Sequence, residues 1–311
     1  MALLTLAEGN KYSRTELERV VVDLLVKESP ILEKLQFEEL LGNSLTYNQV
    51  TTRSTASFYD VGDTWGESTP VLTPQTVVLK ILGEDADVDN FVARTRSNII
   101  DVWATILEDK VKAVQEKFLD TFYYGVASGT KTFDGLHTLI ASTTYNTVHA
   151  GAGTGTALSM LKLDEAIDMI KGFKPQLVVM SKLMRRRITV YLNSVGDKFT
   201  AMRNDFGKLI EYYRDIPIAV DDLIVDTETA ASGAYAAKTG GANTSIFVLT
   251  FAPQAVCGVH GSNKIEVEDL GNLETKDAQR RRIKWYCGLK FENLISSAKV
   301  DGIVAGGTVT A

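Results

Sequence analysis

Residues 44–83 read SLTYNQVTTRSTASFYDVGDTWGESTPVLTPQTVVLKILG, and the architecture is most readily deduced from this stretch. Its two ends are rich in Thr, Val and Tyr and alternate as β-strands do, with Leu45 and Tyr47 in the first and Val77 and Leu79 in the second. The polar segment between them holds residues that favour turns: Gly62, Gly66, Pro70 and Pro74. The pattern predicts a long two-stranded hairpin with an irregular tip. Because such a hairpin is marginally stable alone, we expect another molecule to stabilise it.

A long helical pattern follows the hairpin. Asp85, Asp87 and Asp89 are expected to precede the helix and to favour its N-terminus, where the macrodipole attracts negative charge. From residue 90 to residue 124 the chain has no Gly or Pro, and apolar residues recur every three or four positions: Ile100, Trp103, Leu107, Val111, Val114, Phe118 and Phe122. The predicted helix is on the order of 50 Å long. Its apolar stripe is too broad for a strict coiled coil.

Residues 1–41, before the hairpin, have the pattern of an arm. Ser13 and Glu16 form a capping box before a first amphipathic helix, and Ser29 with Pro30 suits the start of a second. A short apolar patch follows: Ile31, Leu32, Leu35 and Phe37. The arm shows no core of its own, so we expect it to lie on another surface.

A compact mixed region follows the long helix. Helical pattern is predicted at residues 158–170 and 181–192, with a buried strand at 176–180 between them. Two short strands, or a strand and a turn, are predicted within residues 210–226, and a surface loop at 227–243. Strands are then predicted at 245–252, 255–260, 279–294 and 300–304. The longest of these alternates, with one apolar face: Ile283, Trp285, Cys287, Leu289 and Phe291. The fold class is therefore α+β.

Composition excludes several classes of protein. The chain has 311 residues, 45% of them hydrophobic, and a net charge of −6, which argues against a dedicated nucleic-acid-binding face. No apolar run reaches membrane-spanning length and the N-terminus lacks a signal-peptide pattern, so we expect cytoplasmic synthesis and no membrane association. Cys257 and Cys287 do not have metal-ligand spacing and are expected to be buried free thiols rather than a disulfide.

No constellation of catalytic residues is apparent. His137, His149 and His260 are scattered, and the motifs of metalloproteases, α/β-hydrolases and β-lactamases are absent. The glycine run at 151–155 ends without the Lys-Ser/Thr of a phosphate-binding loop. The alternating aspartates at 85–89 lack the Gly and Glu of a calcium loop, and those at 221–228 are expected to lie in a turn rather than to hold Mg²⁺. The sequence therefore predicts no enzyme, no cofactor and no metal.

The order of elements, and several local phrases, resemble the major capsid proteins of tailed bacteriophages. VKESPILEKLQFEELLGNSLTYN (26–48) is similar to the junction of arm and hairpin, FYDVGDTWGESTP (58–70) to the hairpin tip, and LKILGEDADVDNFVARTRSN (79–98) to the entry into the long helix. FDGLHTLI (133–140), IPIAVDDLI (216–224) and RRRIKWYCGLKFENLISSAKVDGI (280–303) resemble later segments of that family.

The resemblance implies the tailed-phage major capsid fold, with five parts. These are an N-terminal arm (1–42), an extended E-loop hairpin (43–88), a peripheral domain with a spine helix (89–155), an axial domain (156–255), and a return to the peripheral domain with a C-terminal strand (256–311). It also implies self-assembly through pentamers and hexamers into an icosahedral virion shell around double-stranded DNA, touched only non-specifically. Separate scaffolding, portal and decoration proteins are the implied partners. The scaffolding protein is expected to be separate because the arm begins at residue 1, unless the chain is already processed.

The resemblance also directs attention to inter-subunit contacts. The expected contact residues are Tyr59, Asp60, Asp63, Trp65 and Glu67 in the hairpin tip, and the basic triplet Arg280, Arg281 and Arg282. A second triplet, Arg185, Arg186 and Arg187, is expected to be solvated. Because residues 44–79 contain no lysine, no Lys–Asn cross-link through the hairpin is expected. An encapsulin-type nanocompartment is the alternative, and an α/β enzyme is a more distant one.

Overall fold

The computed structural model describes residues 30–90, 102–151, 155–196, 198–203, 209–229 and 237–310. The first predicted helix, near residues 13–25, lies outside this part of the chain, as do residues 91–101 of the predicted long helix. The described helices are α1 (Pro30–Lys34), α2 (Val102–Tyr124), α3 (Leu136–Leu139), α4 (Met160–Asp168) and α5 (Lys182–Val195).

The strands form three sheets. β2 (Ser44–Thr52) and β3 (Val71–Val78) make a two-stranded hairpin. A four-stranded sheet has the order β1-β11-β12-β4, from β1 (Phe37–Glu39), β4 (Lys80–Asp89), β11 (Val256–Asn272) and β12 (Ala278–Phe291). A seven-stranded sheet has the order β5-β13-β10-β6-β9-β8-β7, from β5 (Thr147–His149), β6 (Leu177–Met180), β7 (Thr200–Arg203), β8 (Leu209–Tyr213), β9 (Ile216–Val220), β10 (Asn243–Leu249) and β13 (Ala298–Val304).

The long helix packs on the four-stranded sheet. The predicted apolar stripe is confirmed within the described part of α2, where Leu107, Val111, Val114, Phe118 and Phe122 are buried. The predicted alternation of β12 is also confirmed, because its five apolar residues from Ile283 to Phe291 are buried on one face. The rings of Phe118 and Trp285 lie 4.5 Å apart at the centre of this interface. These two periodicities, one helical and one alternating, build the main core.

The three aspartates lie in a strand that the sequence prediction did not include. Asp85, Asp87 and Asp89 belong to β4, which pairs along its whole length with β12, and the next residue, Asn90, has helical backbone. Ala86 and Val88 between them are buried, so the aspartates occupy the outer face of the sheet. An alternating Asp-Ala-Asp-Val-Asp sequence therefore forms a half-buried strand here.

The arm and the hairpin need further corrections. Residues 30–40 are not without a core in their own chain, because Ile31, Leu32 and Leu35 are buried in the main core and β1 pairs in parallel with β11. The second hairpin strand begins at Val71 and includes Pro74, which the sequence assigned to the tip. Proline is tolerated there because a two-stranded sheet has an open edge beside each strand. The last strand, β13, joins the seven-stranded sheet beside β10.

The remaining elements follow the expected order. The predicted helices near 158–170 and 181–192 are present as α4 and α5, and Ser181 caps α5 by accepting a hydrogen bond from the backbone N–H of Met184. β11 extends to Asn272, well beyond the predicted end at residue 260, because it pairs with β12 over that length. Among the described residues, no helix is long and apolar enough to cross a membrane.

Candidate inter-subunit surfaces

The hairpin is attached to the body by a few polar bonds at its base. Tyr47 Oη and Gln49 Nε2 both donate to the carbonyl of Phe291, at 2.8 and 2.9 Å, and Tyr145 Oη donates to the carbonyl of Thr51 at 3.1 Å. Burial raises the pKa of Tyr47 to about 12, so this phenol keeps its donor proton at any physiological pH. These three bonds fix the base of the hairpin to the body, and the last of them is at Thr51, next to the end of β2.

The hairpin strands expose apolar side chains that no described part of the chain covers. Val50, Val71 and Leu72 are each more than half exposed, although they lie in regular strands. Among the described residues, β2 and β3 pair only with each other, so each strand has an unpaired outer edge. Open edges and exposed valines are what soluble monomers avoid, and they favour contact with another chain.

Residues 53–70, named here the hairpin tip, have internal structure. The rings of Tyr59 and Trp65 stack with centroids 4.4 Å apart, and Tyr59 Oη accepts from the backbone N–H of Gly66 at 3.1 Å. Asp63 Oδ2 accepts from the backbone N–H of Asp60 at 2.8 Å, which closes a turn around Gly62 at φ +96°. The tip is thus pre-organised, which lowers the entropy that docking would cost.

The tip presents apolar and acidic groups together. Phe58 and Val61 are fully exposed and Trp65 is 78% exposed. Three carboxylates, those of Asp60, Asp63 and Glu67, stand against the single guanidinium of Arg53. The structure therefore brings the five predicted tip residues into one small, acidic and apolar surface. Their contact with another subunit stays a prediction.

The triplet Arg280–Arg282 has carboxylate partners in its own chain. Arg280 binds Asp87 with two bonds of 2.6 Å, and Arg282 binds Asp85 with bonds of 2.5 and 2.8 Å. These bidentate pairs cross from β12 to β4, and the Arg282 guanidinium holds the pKa of Asp85 below its ordinary value. The predicted contact of this triplet with another subunit stays untested.

The third arginine of that triplet turns to the other face of the sheet. The guanidinium of Arg281 lies 4.3 Å from the ring centre of Trp103, at the start of the described part of α2, and 3.7 Å from Asp269. The triplet therefore fastens β12 to β4, β11 and the long helix. We define Asp85, Asp87, Arg280, Arg282 and their neighbours Lys284 and Glu268 as the charge ladder.

The second triplet, on α5, is much less neutralised. Arg185 pairs loosely with Glu211 of β8, at 3.3 Å, while Arg186 and Arg187 have no carboxylate partner among the described residues. Lys182, one turn before Arg186, pairs with Asp222, and both of these side chains are about two-thirds exposed. This surface carries surplus positive charge on an acidic protein.

A buried polar cluster joins the end of α2 to the seven-stranded sheet, and sequence reasoning missed it. Glu228 accepts from Tyr124 Oη and from Ser245 Oγ, both at 2.5 Å, and His137 Nε2 lies 3.4 Å from the same carboxylate. Burial and the Glu228 charge raise the pKa of Tyr124 well above its ordinary range. The side chains of His137 and Glu228 are sealed from solvent, so the cluster is part of the protein interior. The predicted surface loop at 227–243 is wrong at Glu228.

The same region holds a buried lysine and carboxylate on β13. Lys299 Nζ lies 3.4 Å from Asp301 and donates to the carbonyl of His137, while His149 Nδ1 lies 2.5 Å from Asp301.

Cys257 and Cys287 are buried free thiols, as predicted, and burial raises the pKa of Cys287 to about 12. Within the described ranges, no group of three or more His, Cys, Asp or Glu side chains is placed to hold a metal ion.

Comparison with known proteins gives the fold. No protein-family model matches the chain, and no curated protein matches it. The holo-SrpI encapsulin complex of Synechococcus elongatus PCC 7942 is similar at 16% identity and a TM-score of 0.69, over 91% of this chain and 91% of that one. The capsid of a native GTA particle is similar at 11% identity and a TM-score of 0.62, over 88% and 89%.

A chain from Microbacterium phage Oxtober96 is similar at 14% identity and a TM-score of 0.60, over 88% of this chain and 90% of that one. Each likeness extends over nearly the whole length of both chains. The predicted α+β architecture is confirmed: the chain has the fold shared by phage major capsid proteins and encapsulin shells.

Proposed function

We propose that this chain is the major capsid protein of a tailed phage, a structural subunit that assembles with copies of itself into an icosahedral shell around double-stranded DNA. The observation that carries the proposal is the hairpin, whose pre-organised tip exposes Phe58, Val61 and Trp65 and whose edges are open. Large exposed apolar groups on a rigid support are typical of an interface. The fold, which it shares with known shells, supports the same conclusion.

The assembly follows from these surfaces. In a closed shell each hairpin lies on a neighbouring subunit, so many modest contacts add up across the particle. Pentamers and hexamers, formed in the host cytoplasm, are the proposed units, with separate scaffolding, portal and decoration proteins as partners. The acidic balance of the chain keeps packaged DNA from adhering to the wall. No catalytic role is proposed.

Electron microscopy of the purified full-length chain tests the proposal. Uniform icosahedral particles are expected, and a chain that stays monomeric at every concentration would refute it. Replacing residues 54–69 by a short Gly-Ser turn keeps the bonded base of the hairpin and removes the tip. The shortened chain is expected to stay soluble and to form no particles, and normal particles from it would refute the role of the tip.

The subunits of the shell are expected to be held together by non-covalent contacts alone. Because residues 44–79 contain no lysine, boiled particles are expected to migrate as monomers on a denaturing gel. A ladder of covalent multimers would contradict this.

An encapsulin-type nanocompartment is the second candidate, favoured by the TM-score of 0.69 to an encapsulin complex. The contents of particles purified from the native source discriminate between the two. Double-stranded DNA of uniform length supports the phage capsid, whereas a single packaged enzyme and no genome supports the nanocompartment. The neighbouring genes give an independent test: terminase, portal and tail genes, or a ferritin-like cargo gene.

A further inference from the structure

The hairpin joins the body through two short stretches of chain. Residues 41–43 lead into β2 and are exposed, and Gly42 has a φ of +118° with no described atom within 4 Å of where its Cβ would lie. Leu79 leads out of β3, and its backbone N–H donates to the carbonyl of Asn43 at 2.9 Å. Glycine adopts such a backbone without steric cost, and no described side chain holds it in place. These two links alone would therefore allow the hairpin to swing relative to the body.

Beyond the links, one face of β2 is turned towards the body. The strand alternates, so Tyr47 and Gln49 share its half-buried face while Thr46 lies on its exposed face. Tyr47 Oη and Gln49 Nε2 both donate to the carbonyl of Phe291. Because the two donors lie two residues apart and share one acceptor, this pair of bonds resists rotation of the strand as well as translation.

Tyr145 adds a third attachment from the body. Its hydroxyl donates to the carbonyl of Thr51, near the far end of β2. The groups that hold the strand are themselves firmly packed, because Phe291 is buried in the four-stranded sheet and Asn146, next to Tyr145, is buried and hydrogen-bonded. We name Tyr47, Gln49 and Tyr145 the hairpin latch.

A small rotation at the base of the hairpin becomes a large displacement further out. β2 has 9 residues. At about 3.3 Å per residue the strand spans about 30 Å, so a rotation of about 10° at its base moves its far end by about 5 Å. Side chains across an interface are in contact only within about 4.5 Å. The direction of the hairpin must therefore be set at its base if the tip is to make the same contacts in every copy.

We propose that the hairpin latch fixes the direction in which the hairpin leaves the body, so that every copy of the chain presents its tip at the same angle. Tyr47, Gln49 and Tyr145 are thus positioning residues, which act through the strand and not by touching a neighbour. The consequence for particles rests on the proposed shell-forming function, whereas the direction of the hairpin is a property of the single chain.

A distance measurement on the unassembled chain tests the latch directly. Tyr47→Phe, Gln49→Met and Tyr145→Phe, combined in a triple variant, remove the three donors and keep the size of each side chain. Thr46→Val is the matched control, because it removes a hydroxyl contact to Thr76 inside the hairpin and none to the body.

Spin labels at Val61→Cys in the tip and Leu270→Cys in β11 report the direction of the hairpin. Both positions are exposed, and the native cysteines are buried and stay unlabelled. The distance distribution measured by pulsed electron spin resonance is expected to widen by about 5 Å or more in the triple variant and to stay unchanged in the control. An unchanged distribution in the triple variant would overturn the proposal.

Electron microscopy of the same variants tests the consequence for assembly. The unmodified chain and Thr46→Val are expected to form particles of one diameter, and the triple variant is expected to lose that uniformity. Uniform particles of the normal diameter from the triple variant would overturn the role of the latch in assembly. If the unmodified chain forms no shells, the proposed function fails, and the distance measurement still decides whether the latch exists.

Thermal unfolding separates positioning from stability. A lower unfolding midpoint in the triple variant without a wider distance distribution would assign these side chains to stability alone and overturn the latch. Circular dichroism checks that each variant is folded. Tyr145→Phe alone removes one bond of the three and keeps the test available if the triple variant does not fold. It is expected to widen the distribution less than the triple variant, and no widening would again contradict the proposal.

Discussion

The two arginine triplets have the same sequence and opposite surroundings. Arg280–Arg282 lies on a strand whose neighbour, β4, places an aspartate at every second position, so two of its guanidiniums are paired inside the chain. Arg185–Arg187 lies on a helix, and within the described ranges its carboxylate partner is Glu211. An arginine triplet therefore stabilises the fold when the adjacent strand carries aspartates at alternate positions. Without such a strand beside it, the triplet can bind a partner instead. The comparison predicts different consequences for the same substitution.

The largest difference is expected from charge reversal in the two triplets. Arg282→Glu would place a carboxylate beside Asp85, where a bidentate bond now joins β12 to β4, and like charges directly opposite on a sheet repel. The thermal unfolding midpoint of the full-length chain is expected to fall by about 5 °C or more. Arg186→Glu is expected to leave the midpoint unchanged. Equal shifts in the two variants would break the comparison.

A smaller effect is expected when the ladder loses one charge without gaining another. Asp85→Asn removes the charge-assisted part of the bond to Arg282 while preserving the shape of the side chain. About a third of the Asp85 side chain is exposed, so solvent screening keeps the expected loss to about 1 kcal/mol of unfolding free energy. Denaturant titration measures it. Asp222→Asn is the matched control, because its partner Lys182 lies in the exposed surface of α5, and it should cost less.

The pH dependence sharpens the same comparison. Hydrogen bonding to Arg282 holds the folded-state pKa of Asp85 below its ordinary value of 3.8. A group with a depressed folded-state pKa contributes stability that is fully present above the unfolded pKa and is lost as the pH falls through the folded one. The stability difference between the unmodified chain and Asp85→Asn should therefore be constant above pH 3.8 and shrink below it. A difference that persists undiminished in strong acid would show that the carboxylate charge is not its source.

Short-range patterns predicted much of the architecture. The seam from Leu107 to Phe122, the alternation from Ile283 to Phe291 and the helix at 181–192 depend on spacing within one element, and all three are present. The strand at Asp85 was missed because its partner, Arg282, is 197 residues away and no local pattern reveals it.

The same contrast between local and long-range contacts separates the surfaces that were predicted from those that were missed. The tip was predicted as a group because Tyr59 through Glu67 are contiguous, and their stacking and turn are local. The groove between α5 and strands β8 and β9 was missed because Glu211 and Val220 come from separate strands and meet the helix only in the folded chain. Glu228 was placed in a loop because its small polar neighbours hide a carboxylate that Tyr124 and Ser245 bind in the interior.

The smallest effect is expected at Arg187, and it bears on what the triplet on α5 is for. If surplus positive charge anywhere on α5 were enough for assembly, Arg187→Ala would weaken it as much as Arg186→Ala, since both remove one cation from the same helix. If a local contact matters instead, Arg186 is the residue expected to make it, because it is exposed one turn before the exposed Val190, whereas Arg187 is half-buried. We expect Arg187→Ala to change the unfolding free energy by less than about 0.5 kcal/mol and to leave particle yield within about twofold of the unmodified chain. Light scattering during assembly, run on both variants at equal concentration, measures this directly. An equal loss of particle yield in the two variants would mean that net charge, and not a docking site, distinguishes this triplet from the one on β12.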